Sequence, residues 1–325
     1  MANAPLATPA TSSPERETAT ERHQPPSRFW QRLTFEESLA GYIFLLPWIV
    51  GLLGLTLFPM GFSLVMGFYR WDIINPPVYI GLDNYRMLFH DRLFWISLRQ
   101  TLIYSAMNVP LLLGFGLFLA VLLNQKIKGQ GFFRTAFYVP AVIPSVAMIL
   151  MWIWLLSPDG LVNQALGWIG ITGPNWFGST TWAVPALVLT GLWTVGSGML
   201  IYLGGLQGVP TELYEAAELD GASRWRRFWN VTVPMISPIV LYNLVILLVG
   251  SMQSFTGSFI ATQGGPGYAT HFLVYYLYNN AFGYLRMGYA SAFAWIVFVL
   301  ILAMTLIVLR WSAAWVYYEG LRSKG

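Results

Sequence analysis

The 325-residue chain has no cysteine and few charged residues. Without thiols it forms neither a disulfide nor a thiolate metal site. Asp, Glu, Lys and Arg make up only 10% of its residues, whereas soluble domains carry about 25%. Hydrophobic residues make up 56%. The composition therefore excludes an ordinary soluble domain and predicts an integral membrane protein with most of its mass in lipid.

Groups that would supply energy or chemistry are also scarce. Only Lys126, Lys128 and Lys324 are present, and none follows a phosphate-binding Gly-x-x-x-x-Gly motif, so the chain is not its own P-loop ATPase. The three histidines show no metal-ligand spacing, and no nucleophile–base set is visible. We therefore expect no metal site and no enzyme activity.

Long uncharged runs separate the charged residues, and each run can hold a span of about 20 apolar residues. They predict six transmembrane helices, at 40–68, 98–123, 134–157, 182–206, 233–262 and 288–310. Pro140 and Pro144 predict a bend in the third span. The shorter apolar stretches 161–170 and 272–282 are expected to be surface helices. The fold class is thus an all-α, polytopic membrane protein with six transmembrane helices.

None of these spans carries an acidic residue or a histidine in its interior. Ion-coupled transporters usually need such groups near the midplane, so their absence argues against a secondary transporter. Sodium sites built only from carbonyls and hydroxyls remain open. If the chain is not coupled to an ion gradient, the energy for transport must come from a separate motor protein.

The distribution of basic residues predicts the topology. Thirteen of the 18 lysines and arginines lie in the N-terminus, the second and fourth loops and the C-terminus. The positive-inside rule places these parts in the cytoplasm, in a multi-pass protein of the cell membrane. We interpret 1–35 as a disordered cytoplasmic tail, 36–318 as the six-span domain and 319–325 as a cytoplasmic C-terminal tail.

A charged segment, 207–232, interrupts the apolar sequence between spans four and five. Four carboxylates and three arginines fall within 16 of its residues. Thr211 is a candidate N-cap that places Glu212 and Glu215 in the first turn of a helix. Gly221 ends this helix in a left-handed conformation, and Ser223 caps a second helix. The residues alone predict a surface helix–turn–helix, and they leave open whether it binds a partner or only connects two spans.

The spacing of this segment resembles the cytoplasmic loop signature of ABC importer permeases. The matching residues are Glu215, Ala216, Ala217, Gly221, Val231, Val233 and Pro234. The segments 81–85, 133–140, 264–266 and 287–292 also resemble carbohydrate-type permeases, in particular the first permease of maltose-type and glycerol-phosphate-type systems. The resemblance implies a type I ABC importer permease fold.

In that family the loop docks into a cleft of a cytoplasmic ATPase. The resemblance assigns this coupling role to Glu215, Ala216, Ala217, Asp220, Gly221 and Pro234. It also implies as partners a second permease subunit, an ATPase dimer that binds the ATP, an extracytoplasmic solute-binding protein and membrane lipid. This chain would then need no cofactor of its own, and its net charge of +4 reflects topology rather than a nucleic-acid partner.

Small and polar residues share one face of the predicted fifth span when it is drawn as a continuous helix. Together with one tryptophan of span four they are the candidate substrate path: Asn243, Gly250, Ser251, Ser254, Ser258 and Trp193. Close helix packing explains the same face equally well. Gln253 and Thr256 are predicted to point elsewhere. Uncharged hydroxyls and amides suit a neutral polyol such as a sugar.

Arg70, Arg86, Asp91 and Arg92 are expected on a solvated outer face, where the resemblance implies contact with the binding protein. The sequence therefore predicts a permease subunit of an ATP-driven importer for a sugar or sugar-like solute. An ion-coupled carrier of a small neutral solute is the alternative.

Overall fold

The computed structural model describes residues 41–125 and 128–317 of a helical chain. The helices are α1 (Gly41–Met66), α2 (Asp83–His90), α3 (Arg92–Leu123), α4 (Gln130–Val142), α5 (Ser145–Leu155), α6 (Leu161–Trp168), α7 (Ala183–Leu192), α8 (Gly196–Gln207), α9 (Thr211–Leu219), α10 (Arg224–Met235), α11 (Ser237–Met252), α12 (Leu273–Tyr278) and α13 (Met287–Ser312). Strands β1 (Tyr69–Arg70) and β2 (Val78–Tyr79) form an antiparallel hairpin in which Tyr69 pairs with Tyr79. The predicted tails 1–35 and 319–325 lie outside the described residues.

Some helical segments are wound as π-helix. They are Leu52–Leu57 inside α1, Phe228–Thr232 inside α10, Ser258–Thr262 after α11, and Asn279–Gly283 directly after α12. The chain divides into two compact units, Met1–Met60 and Gly61–Gly325. In the first unit the described residues, 41–60, belong to α1 and are almost all exposed and apolar. The sites considered below lie within the second unit.

Six candidate membrane spans agree with the six predicted from the sequence. The helices α1, α3 and α13 are each long and apolar enough to cross a bilayer, with 26, 32 and 26 residues. The pairs α4–α5, α7–α8 and α10–α11 qualify when each pair is taken as one broken span, bent by 99°, 47° and 67°. The chain is thus an all-α polytopic membrane protein.

The bend predicted in the third span is present between α4 and α5. Pro144 stands at the N-cap of α5, and Ile143 before it is extended, with φ −68° and ψ 132°. A residue that precedes proline is driven out of the helical region by the proline ring. This local conflict breaks the span where the sequence predicted it.

The predicted continuous fifth span, 233–262, is wrong. The α11 helix ends at Met252, and Gln253 leaves the helical region with φ −98° and ψ 15°. Residues beyond the break therefore do not share a helical face with those before it. The α7–α8 pair is also interrupted, with a bend of 47° just after Trp193, although Trp193 itself keeps helical dihedral angles.

The short surface helix predicted at 161–170 is present as α6, which has no buried residue. The stretch 272–282 is helical as α12 with its π-helical continuation, but its expected surface position is wrong, because Leu273, Tyr275 and Tyr276 are buried. In the second unit, the long helix α3 packs against α7, α8, α11 and α12. Its buried side chains Leu119 and Leu123 join Met199, Tyr202 and Ile236 in one apolar core. This packing brings the broken ends of several spans around one central helix.

Candidate functional site

The charged segment folds as the predicted hairpin of two helices, α9 and the start of α10. Gly221 lies between them with φ +75°. Its amide donates to the carbonyl of Glu218 at 3.0 Å, and the next amide, of Ala222, donates to the carbonyl of Ala217 at 2.9 Å. This pair of bonds is the Schellman arrangement, which satisfies the last carbonyls of a helix and requires a left-handed residue. The predicted role of Gly221 in ending the helix is confirmed.

The cap of the second helix is confirmed, whereas the predicted start of the first is wrong. Ser223 accepts a hydrogen bond from the amide of Arg226 at 3.4 Å. The N-cap residue is Pro210, which is extended and makes no side-chain capping hydrogen bond. Thr211 is therefore the first helical residue and not the N-cap. Only Glu212 then lies in the first turn. Glu215 falls in the second turn, where the helix dipole contributes little.

Two side-chain contacts hold the hairpin closed. The Nη1 atom of Arg227 lies 2.7 Å from Oε2 of Glu218, and the hydroxyls of Tyr214 and Thr232 lie 3.0 Å apart. Both contacts join α9 to α10. The sequence analysis missed them, although a carboxylate and an arginine on either side of a glycine turn are a readable signal. They fix the angle at which the hairpin presents its outer face.

That outer face is exposed and unpaired. Glu215, Ala216 and Asp220 are exposed, and Leu219 is 90% exposed. Among the described residues neither Glu215 nor Asp220 forms an ion pair. Of the other predicted coupling residues, Gly221 is exposed, and Ala217 and Pro234 are half-buried. The hairpin thus offers small residues, acidic groups and one apolar side chain, a surface suited to a protein partner.

A cavity of about 260 Å³ lies where the broken spans meet α3. It is lined by Tyr104, Ser145, Met148, Ile149, Leu187, Thr190, Gly191, Gln253, Ser254, Phe255, Thr256 and Gly257. Ser145 begins α5, Gly191 lies near the end of α7, and Gln253 follows α11. Discontinuous helices that meet at membrane depth are a common way to build a solute site.

Of the six predicted path residues, Ser254 lines this cavity. Asn243 and Ser251 are buried and bond to carbonyls of their own helix, at 3.1 Å each. Ser258 is buried and donates to the carbonyl of Thr270. Each of these three side chains thus has a backbone hydrogen-bond partner within the structure.

The other two predicted path residues lie outside the cavity lining. Gly250 is exposed, with open space where a Cβ would stand. Trp193 is 46% exposed and packs edge-to-face on Trp152, with ring centroids 5.7 Å apart. Gln253 and Thr256, predicted to point away, line the cavity instead because α11 ends before them.

The sequence analysis also missed a polar stripe on α3. Tyr104, Ser105 and Asn108 are buried, and Tyr104 lines the cavity. Within the described part of the chain, the Ser105 hydroxyl and the Asn108 Oδ1 have no hydrogen-bond partner. A Cβ placed on Gly191 would lie 2.9 Å from Asn108 Oδ1, so α3 approaches α7 closely here. The helical spacing of these polar residues was the available signal.

Known proteins share this architecture. The family described as "Binding-protein-dependent transport system inner membrane component" matches residues 113–317. The probable ABC transporter permease protein YesP of Bacillus subtilis is 42% identical over 290 residues, covering 88% of this chain and 94% of YesP. The sulfoquinovosyl glycerol transport system permease protein SmoG of Agrobacterium fabrum is 33% identical, covering 86% and 93%.

A solved structure agrees with the fold. A chain of a bacterial ABC transporter that imports the acidic polysaccharide alginate matches with a TM-score of 0.76 and 26% identity, over 88% of this chain and 99% of that one. The chain belongs to the family of binding-protein-dependent inner membrane permeases. It is a permease of the ABC importer class with the type I importer fold, a transport component rather than an enzyme.

Proposed function

We propose that this chain carries a sugar or sugar-like solute across the cell membrane as one permease of an ATP-driven importer. A second permease, a cytoplasmic ATPase dimer and an extracytoplasmic binding protein complete the complex. The observation that carries the proposal is the hairpin of α9 and α10, because it places seven charged residues within 212–227, between two apolar spans, and in the described part of the chain Glu215 and Asp220 form no ion pair. ATP is bound by the partner subunit.

The hairpin supplies the coupling. Its Schellman turn at Gly221 and the Arg227–Glu218 ion pair hold α9 in one orientation. An ATPase that binds Glu215, Ala216 and Leu219 would therefore move α9 and α10 together. The movement of α10 would then be passed on to α11, the second helix of the same broken span. The 67° bend between these helices is where such a movement enters the bundle.

The solute path passes the cavity at the broken ends of the spans. The hydroxyl and amide groups of its lining carry no charge; they belong to Tyr104, Ser145, Thr190, Gln253, Ser254 and Thr256. A small cavity lined by both apolar side chains and uncharged polar groups suits an oriented neutral ligand. Relatives named for sugar transport, such as the trehalose/maltose permease MalF of Thermococcus litoralis, 32% identical, support a saccharide as the solute.

Both termini and the hairpin lie in the cytoplasm in this proposal. The basis is the excess of basic residues on that side of the membrane. Reporter fusions after Gly129 and Gly221 are expected to read cytoplasmic, and fusions after Asn75 and Gly267 external. An external result at Gly221 would contradict the coupling role.

Uptake by the reconstituted complex tests the function. The chain is co-purified with its second permease and ATPase, the binding protein is added, and proteoliposomes are assayed with labelled oligosaccharides. We expect accumulation that requires both ATP and the binding protein and that persists with a proton ionophore. Accumulation driven by an ion gradient without ATP would favour a secondary carrier.

A further inference from the structure

The 67° hinge between α10 and α11 lies at Ile236, which is buried and has φ −91° and ψ 2°. A proline in the first turn of α11, Pro238, accounts for the break. In a continuous helix the amide of residue 238 would donate to the carbonyl of Pro234, but proline has no N–H and its ring collides with that carbonyl. The break therefore leaves a carbonyl at the hinge that needs another donor.

The hydroxyl of Ser237 supplies that donor. Ser237 is buried, and its Oγ donates to the carbonyl of Pro234 at 2.6 Å. A hydroxyl has one proton to donate and two lone pairs that accept. One of these lone pairs accepts the backbone amide of Tyr317, at 2.8 Å. Ser237 is thus bonded on two sides, to α10 and to a segment that lies 80 positions further along the chain.

The segment that reaches the hinge consists of residues 313–317 and is called the strap below. It follows α13 and begins with a turn, in which the amides of Trp315 and Val316 donate to the carbonyl of Ser312 at 3.1 and 2.8 Å. Helix α13 itself packs against α11. The strap then meets the start of α11, where Tyr317 donates its amide to Ser237. The hinge is therefore a junction of three elements: α10, α11 and the strap.

This junction lies between the charged hairpin and the smaller cavity. On one side, the ion pair of Arg227 with Glu218 joins α10 to α9. On the other side, α11 leads to Gln253 and Ser254, which line the cavity. A hinge that bends freely would let the hairpin move while α11 stayed in place. A hinge that is fixed by the strap makes α10, α11 and the end of α13 move together.

We propose that the strap and Ser237 fix the α10–α11 hinge, so that movement of the hairpin reaches the helices that border the solute cavity. Ser237 is a positioning residue in this role, because it does not line the cavity and acts through the two backbone groups that it joins. This inference rests on the proposed importer function. It predicts a specific defect: when the strap is detached, the ATPase still hydrolyses ATP, but less solute crosses the membrane for each ATP.

The test compares Ser237→Ala with Ser312→Ala in the full complex in proteoliposomes. The two serines are matched, because both are buried and each donates to the carbonyl three positions before it. In the described part of the chain, only the hydroxyl of Ser237 also accepts a bond from another element. The net strength of an ordinary hydrogen bond corresponds to a factor of about two to ten in an equilibrium. We expect Ser237→Ala to lower the transport ratio, which is solute transported per ATP hydrolysed, by about that factor, whereas Ser312→Ala keeps the wild-type ratio.

A second pair of variants, Tyr317→Pro and Tyr317→Ala, changes the strap and leaves Ser237 in place. Both variants remove the phenol ring, but only proline removes the amide that bonds Ser237. Tyr317→Pro is therefore expected to lower the transport ratio, and Tyr317→Ala is expected to keep it. The double variant Ser237→Ala/Tyr317→Pro should have about the same ratio as Ser237→Ala alone, because both changes break the same bond.

Equal transport ratios in Ser237→Ala and Ser312→Ala would overturn the proposal, as would equal ratios in Tyr317→Pro and Tyr317→Ala. A lower melting temperature with uptake and hydrolysis reduced in proportion would also overturn it, because Ser237 would then be a purely structural group. If Ser237→Ala does not assemble, the two variants of Tyr317 decide the question. If the unmodified complex takes up no solute with ATP, the importer function itself fails, which separates the two failures.

Discussion

Replacement of Gly221 tests whether the geometry of the hairpin matters for coupling. Gly221 has φ +75°, and a Cβ there would meet nothing within 4 Å. The cost of a side chain is therefore a backbone cost alone, about 1–2 kcal/mol for an ordinary residue in the left-handed region. Since about 1.4 kcal/mol corresponds to a tenfold change in an equilibrium constant, this cost corresponds to a factor of about five to thirty in that constant.

We expect Gly221→Ala to weaken the apparent affinity of the permease for its ATPase by up to that factor. The Schellman turn would open, and α9 would lose its fixed angle to α10. Gly221→Asn is the matched control, because asparagine tolerates the left-handed region better and should weaken affinity less. The assay titrates ATPase into tagged permease and follows co-purification and stimulated hydrolysis. Equal, wild-type behaviour of both variants would refute the reasoning and leave the hairpin as a tether.

Two further outcomes follow from the cavity and from the buried residue His271. Ser254→Trp is expected to block uptake while the complex still assembles, because Ser254 lines the cavity of about 260 Å³. The control is Ile246→Trp, at an exposed position of α11. Unchanged transport in Ser254→Trp would place the solute path elsewhere. Burial lowers the pKa of His271 below its ordinary value of 6.5, so the unfolded chain takes up the proton first and stability falls as the pH drops below about 6.5. The melting temperature should therefore fall more between pH 7.5 and 5.5 in the wild type than in His271→Gln, and an identical slope in both would contradict this.

Local signals explain what could be predicted from the sequence. Uncharged runs identified six spans because the bilayer imposes both length and polarity on a crossing segment. The bend at Pro144 and the turn at Gly221 follow from backbone preferences of single residues. Each of these features depends on a few neighbouring positions and on no distant contact.

The end of α11 could not be predicted in this way. Position 253 is neither glycine nor proline, and the sequence continues without a charged residue through 262. Contacts beyond the break hold it instead: Ser258 bonds the carbonyl of Thr270, and the hydroxyls of Thr262 and Thr270 lie 2.6 Å apart. The helical wheel assumed continuity across the break, so it placed Gln253 away from the cavity that it lines. Convergence of three broken spans on α3 depends on tertiary packing.

The most direct test of the account is cross-linking from Leu219. The chain has no cysteine, so Leu219→Cys creates a single thiol at a position that is 90% exposed on α9. Ile169→Cys, 70% exposed just after α6, is the control, at a position that the proposed topology places on the opposite, outer side. The account predicts that the thiol at position 219 cross-links to the ATPase subunit in the assembled transporter. In intact cells, membrane-impermeant reagents should label the thiol at position 169 and leave the thiol at position 219 unlabelled. Labelling of position 219 from outside, or no cross-link to the ATPase in a complex that transports, would contradict it.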